Sequence, residues 1–486
     1  MNLHDPYDVI IIGAGGVGCA IARELSRYQL RIAVLEKECD VAAGTSGRNS
    51  AVVHAGFNNK FGSLMSQLCV AGNAGFADLC QELDVLYKKT GKLLVAFDDE
   101  DLDILDGLVE KGKLNGCTGL HIIGQEELRE KAPHVGGIAA MSSPETAIFN
   151  PFIYTIALAE NAAANGVDFY FNHEVIGIQK QDGLFQVRTA SGDFSSRFLV
   201  NSAGLYSDRI SAMAGVPGYQ IYPCRGEYFI LDKIADKLLD VPLYPAPKPY
   251  IGGLGVHLTP TIDGNLIIGP SAEYIDDRDD YASTEPVRDK LFLEAMQLLP
   301  AIRRNQIIGS YCGIRPKLAP PNEGGFRDFV IQEEKACPGL INLVGIESPG
   351  LTASMPIARM VRDILRESCE LVPDPTFNPI RKGITRFKDQ PLAEQKRMVE
   401  QNPDYGEIIC RCQQVTKQEI REAIENPLGV CSISSIKYRA WATTGRCQGG
   451  YCLTRITEIL EKEYGYTPEQ ITQRGSGSEL YIGRVK

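Results

Sequence analysis

The stretch Tyr7–Glu36, YDVIIIGAGGVGCAIARELSRYQLRIAVLE, decides the fold. Asp8–Ile12 is an apolar, β-branched run too short for a lone helix, so it reads as a buried parallel strand. Gly13, Gly15 and Gly18 then form Gly-x-Gly-x-x-Gly. Gly13 permits a tight turn, Gly15 lets a pyrophosphate approach the backbone, and Gly18 lets helix and strand pack closely. The helix expected over Val17–Arg27 turns its free N–H groups and positive dipole end towards that phosphate. Arg31–Leu35 is a second buried strand ending in Glu36, whose carboxylate can accept hydrogen bonds from a ribose diol. A glycine triplet alone is a weak signal. One that follows a strand, opens a helix and precedes an acid at this distance is a dinucleotide-binding fingerprint.

The remaining composition fits a large enzyme. At 486 residues the chain should hold more than one domain, and 44% hydrophobic content supports full-sized cores. The net charge of -11 argues against nucleic acid as a partner. No run of about 20 apolar residues is present, so no transmembrane helix is expected. Neither is a secretory signal, and a cytoplasmic location follows, with peripheral attachment to the inner face of the membrane left open. Nine of the 14 cysteines are scattered and read as small buried hydrophobes.

After Glu36, the segment Ala42–Phe57 is rich in Gly, Ser, Thr and Asn and suits a loop tracking along a dinucleotide. Helices are expected over Leu64–Leu86, Glu126–Ala132, Asn150–Asn165 and Ser207–Met213. Strands are expected over Gly91–Phe97, Val167–Phe171, Glu174–Ile178, Phe185–Thr189 and Phe198–Asn201. From Pro223 to Ala301, GEYFIL, PYIGGLGVHLTP and GNLIIGP read as an antiparallel sheet covering the dinucleotide site. Gly309–Pro316 returns towards the first domain, Leu340–Gly345 is a last buried strand, and Ala353–Glu367 a helix. The segment 369–405 is rich in proline and charge and reads as a linker wrapping over the surface.

The other five cysteines fall between Cys410 and Cys452. Cys410-x-Cys412 and Cys447-x4-Cys452 lie near the starts of two helices, Lys417–Glu425 (capped by Thr416 and Glu419) and Leu453–Tyr464. Helix dipoles there favour thiolates, which could ligate zinc or a [2Fe–2S] cluster. Cys-x-Cys is an unusual zinc spacing, and attachment to a redox domain favours iron–sulfur over zinc or disulfides. Cys431 reads as core.

Together the glycine fingerprint, TSGRNSAVVHAGF, NSAGLYSDRI, GVHLTPTIDGNLIIGP, GIRP and GIESPGLTAS resemble the D-amino-acid-oxidase-type family of FAD-dependent oxidoreductases. The run from Cys410 to Cys452, with TTGRCQGGYC, resembles the bacterioferritin-associated-ferredoxin-like [2Fe–2S] domain. The combination is similar to the large subunit of anaerobic glycerol-3-phosphate dehydrogenases, whereas RNSAVVHAG, GKLLVA and CRGEY look like L-2-hydroxyglutarate dehydrogenases. The implied architecture is an α/β Rossmann-type FAD-binding domain (segments 5–75, 150–215 and 309–368) interleaved with an α+β antiparallel-sheet substrate domain (76–149 and 216–308). A small helical iron–sulfur domain spans 406–486.

The resemblance implies that Gly13, Gly15 and Gly18 hold the FAD pyrophosphate and Glu36 its ribose, with Lys37 alongside. Thr45, Ser46, Arg48, Asn49 and Ser50 would line the cofactor up to the flavin. Val175 would meet the adenine side, and Ala203 and Gly204 the pyrophosphate side. Gly313, Gly350, Leu351 and Thr352 would lie at the flavin, and Cys410, Cys412, Cys447 and Cys452 would hold the cluster.

The implied reaction is oxidation of a small anionic secondary alcohol, with hydride passing to flavin N5 and electrons leaving through the cluster. The substrate expected is sn-glycerol 3-phosphate. L-2-hydroxyglutarate is the alternative, and an amino acid or amine comes third. Arg225 and Arg315 are candidates to clamp the anion, because a guanidinium fork matches carboxylate or phosphate; Tyr228, Tyr250 and Lys317 are weaker ones. The base should be imidazole, from His54 or His257, with Tyr228 a further candidate, since His121, His134 and His173 lie on connections far from the cofactor motifs. An electron-accepting subunit or quinone-linked partner and an oligomeric state are also expected.

Overall fold

The computed structural model describes residues 6–248 and 255–483. Strand Tyr7–Ile12 pairs in parallel with Ile32–Leu35 on one side and Asp193–Asn201 on the other. Its alternate residues feed two different cores. Val9 and Ile11 pack with helices Gly16–Leu25, Leu64–Glu82, Pro151–Ala164 and Ser354–Ser368, while Ile10 and Ile12 pack with helix Ser207–Met213. Burial on both faces explains why the strand is apolar throughout. Asp168–Tyr170 and Leu340–Val344 extend the parallel arrangement, and Val175–Gln181 and Leu184–Thr189 add an antiparallel edge.

Sequence and structure agree closely at the glycine turn. Gly13 has φ +103°, and a Cβ there would stand 2.8 Å from the Ser202 carbonyl oxygen. At Gly18 a Cβ would lie 2.0 Å from the Gly13 carbonyl oxygen, so only glycine allows this helix to sit so close to the strand.

The second sheet, nine strands among the described residues, is built on Tyr222–Leu231. That strand pairs antiparallel with Ile307–Lys317 along nearly its whole length and with Leu266–Gly269. His257–Pro260 and Leu243–Pro245 follow, and Leu243–Pro245 runs parallel to Leu93–Ala96. A separate core beneath includes Phe229, Leu258, Leu266 and Ile268.

Several expectations need correcting. Gly309–Pro316 meets the first domain, through Thr45 on the Ile314 carbonyl and Tyr311 on the Asn49 carbonyl, but as part of Ile307–Lys317, a strand of the second sheet paired with Tyr222–Leu231. Helix Leu64–Glu82 packs in the first core, so the boundary drawn at residue 75 cuts through it. Helices Asp99–Leu114 and Glu285–Leu298 were not foreseen. The second lies in a stretch read as sheet; its buried residues Leu291, Phe292, Ala295 and Leu298 form a helical stripe that the exposed apolar Leu293 and Met296 blur.

The segment 369–405 is strapped down rather than free. Arg381 reaches Glu160 at 2.7 Å and donates to the Leu83 carbonyl, Asp84 accepts from Gly383 N–H, and Leu392–Gln401 is helical. The C-terminal module holds its own core around Ile420, Ile436 and Ile456. The Thr416–Glu419 capping box forms, and an additional helix, Ile433–Ala440, docks on the first domain. Arg439 on that helix is buried between Asp40 (2.7 Å) and Glu160 (3.0 Å), and Tyr438 stacks on Phe152 at 4.1 Å. Two carboxylates around one desolvated guanidinium make this contact specific, since either partner alone would leave a buried charge uncompensated.

Candidate active site

One cavity of about 2860 Å³ runs from the glycine turn, across the face of both sheets, to the cysteine module. Gly13, Gly15, Glu36, Lys37, Thr45, Ser46, Arg48, Asn49, Ser50, Val175, Ala203, Gly204, Gly313, Gly350, Leu351 and Thr352 all line it. Gly18 does not, and its close approach to Gly13 is a packing role.

The Glu36 carboxylate is held from two sides. Ala14 N–H donates to it at 2.7 Å and Glu38 N–H at 3.0 Å. Burial pushes its pKa up, and these two amides oppose the shift. Removing the carboxylate leaves both donors and any ribose hydroxyls short of an acceptor. We therefore expect Glu36→Ala to weaken FAD binding by ~1–3 kcal/mol, measured by flavin fluorescence during reconstitution. Unchanged affinity would remove Glu36 from the site.

The loop 45–53 is held by its own side chains. Thr45 Oγ1 donates to the Ile314 carbonyl at 2.6 Å, Ser46 Oγ accepts from Gly16 N–H, and Asn49 bonds back to Thr45 and Ser46. Arg48 lies over the Tyr281 ring, and Gly313 lets the Arg48 carbonyl come to 2.0 Å from where a Cβ would be. Gly16 went unnoticed in the sequence; a Cβ there would be 2.4 Å from Leu351.

At the far end the cavity is lined by His54, His257, Arg315, Tyr228, Lys92 and Tyr244. His54 N–H donates to Thr352 Oγ1 at 3.1 Å, and its Nε2 faces Ser348 Oγ at 3.3 Å. His257 stacks on Tyr244 at 3.9 Å, its Nδ1 lies 3.2 Å from the Gly255 carbonyl, and its Nε2 has no partner among the described residues. A carbonyl at Nδ1 requires a proton there, which leaves Nε2 with a free lone pair. Burial, followed by the charges of Lys92 and His257, drives the His54 pKa well below the usual 6.5. Burial brings His257 down to about 3, so both rings are neutral at pH 7.

Arg315 donates to the Ser271 carbonyl at 2.6 Å and forms no ion pair among the described residues. It sits beside Tyr228, whose ring stacks on Tyr311 at 4.7 Å. Lys317 also reaches the cavity, but both oxygens of the buried Glu347 hold its ammonium, at 3.0 and 3.1 Å.

Arg225 is a correction. Its guanidinium is taken up by Asp280 at 2.6 Å and Glu273 at 2.7 Å, and it does not line the cavity. Alternation along Tyr222–Leu231 sends it to the opposite face from Cys224 and Tyr228. His173 is another: it lines the dinucleotide end, its N–H donating to the Glu36 carbonyl at 2.8 Å. Tyr250 lies outside the described residues. Lys92 and Tyr244 were missed, because a lysine before a strand and a tyrosine within one read as ordinary edge and core residues.

In the module the thiols form two close pairs, Cys410 with Cys452 and Cys412 with Cys447. Among the described residues no three His, Cys, Asp or Glu side chains converge on a single metal position. A two-iron cluster takes two thiolates per iron, which fits a donor set arranged in pairs. The Cys452 thiol, then the amides of Gln413, Thr443 and Cys412, bring the Cys410 thiol down to about 6 against its burial. Gly445 is a close approach, since a Cβ would stand 2.2 Å from Cys412 Cβ. Cys412 itself lines the shared cavity.

A Rossmann-type sheet, a glycine cradle with its acid, and a second sheet roofing the cavity define a flavin-dependent oxidoreductase. The FAD dependent oxidoreductase family matches residues 8–364, and the chain belongs to it. A BFD-like [2Fe-2S] binding domain matches residues 408–462. The chain is 37% identical over 483 residues to the glycerol 3-phosphate dehydrogenase of Caloramator mitchellensis, covering 99% of both. It is 32% identical over 415 residues to human mitochondrial L-2-hydroxyglutarate dehydrogenase, covering 75% of this chain and 90% of that one. Dithionite-reduced L-alpha-glycerophosphate oxidase from Mycoplasma pneumoniae, with FAD bound, is similar in structure at a TM-score of 0.73 and 28% identity. That likeness covers 78% of this chain and 99% of the oxidase. Among the described residues no helix is long and apolar enough to cross a membrane.

Proposed function

We propose that the protein is a dehydrogenase of sn-glycerol 3-phosphate, forming dihydroxyacetone phosphate and passing electrons on through its [2Fe–2S] domain. The observation that carries this reading is the far end of the cavity, where Arg315, with no carboxylate partner among the described residues, lines the same space as the neutral imidazoles of His54 and His257. The guanidinium suits a phosphate or carboxylate, and an imidazole suits the hydroxyl proton. FAD, when bound, supplies the two-electron acceptor. In this reading the glycine cradle, Glu36, Lys37 and Val175 hold its adenosine diphosphate. The 45–50 loop, Ala203, Gly204, Gly313 and residues 350–352 hold the rest.

The full-length likeness to a glycerol 3-phosphate dehydrogenase supports the phosphate. A 2-hydroxy acid, L-2-hydroxyglutarate first, is the second reading, supported by the hydroxyglutarate dehydrogenases at about 30% identity or more. The electron acceptor is proposed as a partner protein or a quinone-linked component at the membrane surface, near the exposed Cys412 and Cys447.

The test is an anaerobic screen of flavin bleaching with phosphorylated polyols, 2-hydroxy acids and amino acids. Glycerol 3-phosphate should bleach the flavin at the lowest concentration. Bleaching by hydroxyglutarate alone would replace the first reading with the second.

A further inference from the structure

Lys92 is 3% exposed, yet no carboxylate among the described residues pairs with it. Its ammonium rests on the rings of Phe57, at 4.6 Å, and Tyr244, at 4.5 Å. Two aromatic faces give a desolvated cation only part of what water gave it. Burying an ammonium without a counter-ion costs several kcal/mol, which a fold retains only where something else repays it. The side chain also lines the cavity, and its charge acts on His54 and His257, so it lies at the same end as the imidazoles. Of the other cations there, Lys317 is matched by Glu347, and Arg315 is anchored to the Ser271 carbonyl with no ion pair among the described residues.

We propose that Lys92 joins Arg315 as a counter-charge for the anionic end of the substrate, a specificity-determining residue at the end of the cavity bounded by Tyr244 and His257. It deepens the reading of this site as one for an anionic alcohol, and rests on that reading. Stacked aromatic walls, the ammonium and the guanidinium hold a compact anion by charge, while the neutral imidazoles beside it remain free for the hydroxyl. Burial lowers the Lys92 pKa to about 8, as an ammonium waiting for an anion should show.

The test uses the full-length, FAD-loaded protein with Lys92→Met and Lys92→Arg. Inorganic phosphate and glutarate, neither of which can be oxidised, are titrated while the flavin absorbance is followed. Parent protein should bind at least one of them, Lys92→Met should bind it at least 10-fold more weakly, and Lys92→Arg, which keeps the charge with a different shape, should bind it more tightly than Lys92→Met. With the substrate found by the bleaching screen, Lys92→Met should raise KM by a similar factor while flavin reduction at saturation changes less than about 3-fold. Equal anion binding by parent and Lys92→Met, or no binding by the parent, overturns the proposal. Failure of the broader reading shows up separately, as a flavin that no anionic alcohol bleaches. A lysine kept only for structure would give unchanged anion titration with a lower melting temperature in Lys92→Met.

Discussion

Flavin reduction should slow by about 10²–10⁴-fold, with FAD still bound, when the imidazole proposed to take the hydroxyl proton is replaced by asparagine. His257→Asn and His54→Asn each test one ring, read by anaerobic stopped-flow at saturating substrate. His257 Nε2 carries a free lone pair and has no partner among the described residues, whereas His54 Nε2 shares its site with the Ser348 hydroxyl. The two variants need not behave alike, and the one with the larger loss identifies the base. Because both pKa values are lowered, the unprotonated ring persists as pH falls, and the rate should hold down to well below pH 6.5. Loss of rate around pH 6.5, or parent rates in both variants, would place the proton elsewhere. The remaining candidate would be water activated beside Arg315.

Changing Cys410, Cys412, Cys447 or Cys452 to Ser should remove the cluster iron and its visible charge-transfer absorption entirely. FAD content should survive, because the glycine cradle and Glu36 belong to a different core from the cysteines. The module is docked through Arg439 and Tyr438, so loss of the cluster should not release it. Substrate should still bleach the flavin once, while steady transfer to a one-electron acceptor falls to near zero. Stoichiometric zinc without iron in anaerobically prepared protein would contradict the cluster assignment.

The shared cavity links these two expectations. Cys412 and the glycine cradle border the same space, and the buried Arg439 ties the cysteine module to Asp40, which also lines it. The charged segment 369–405, expected as a linker wrapping over the surface, is fixed there by Arg381 on Glu160 and the Leu83 carbonyl and by Gly383 N–H on Asp84. Electron exit would therefore run through a rigid contact, with no need for the module to swing.

What could be read from the chain by itself was whatever depends on short-range geometry. The strand–glycine–helix–acid order specifies a dinucleotide cradle because each residue acts on its neighbours within a single βαβ unit. The cysteine spacing and the Thr416–Glu419 cap are local in the same way. Tertiary structure alone decided which charges are spent. Arg225 and Arg315 look equivalent in sequence, but they lie on neighbouring antiparallel strands with their side chains on opposite faces, one against Asp280 and Glu273 and one towards the cavity. Lys317 is matched by Glu347 on another segment, while Lys92 lies between two rings with no carboxylate partner among the described residues. Burial and pairing are set by contacts between distant segments, and no periodicity or spacing within one segment encodes them.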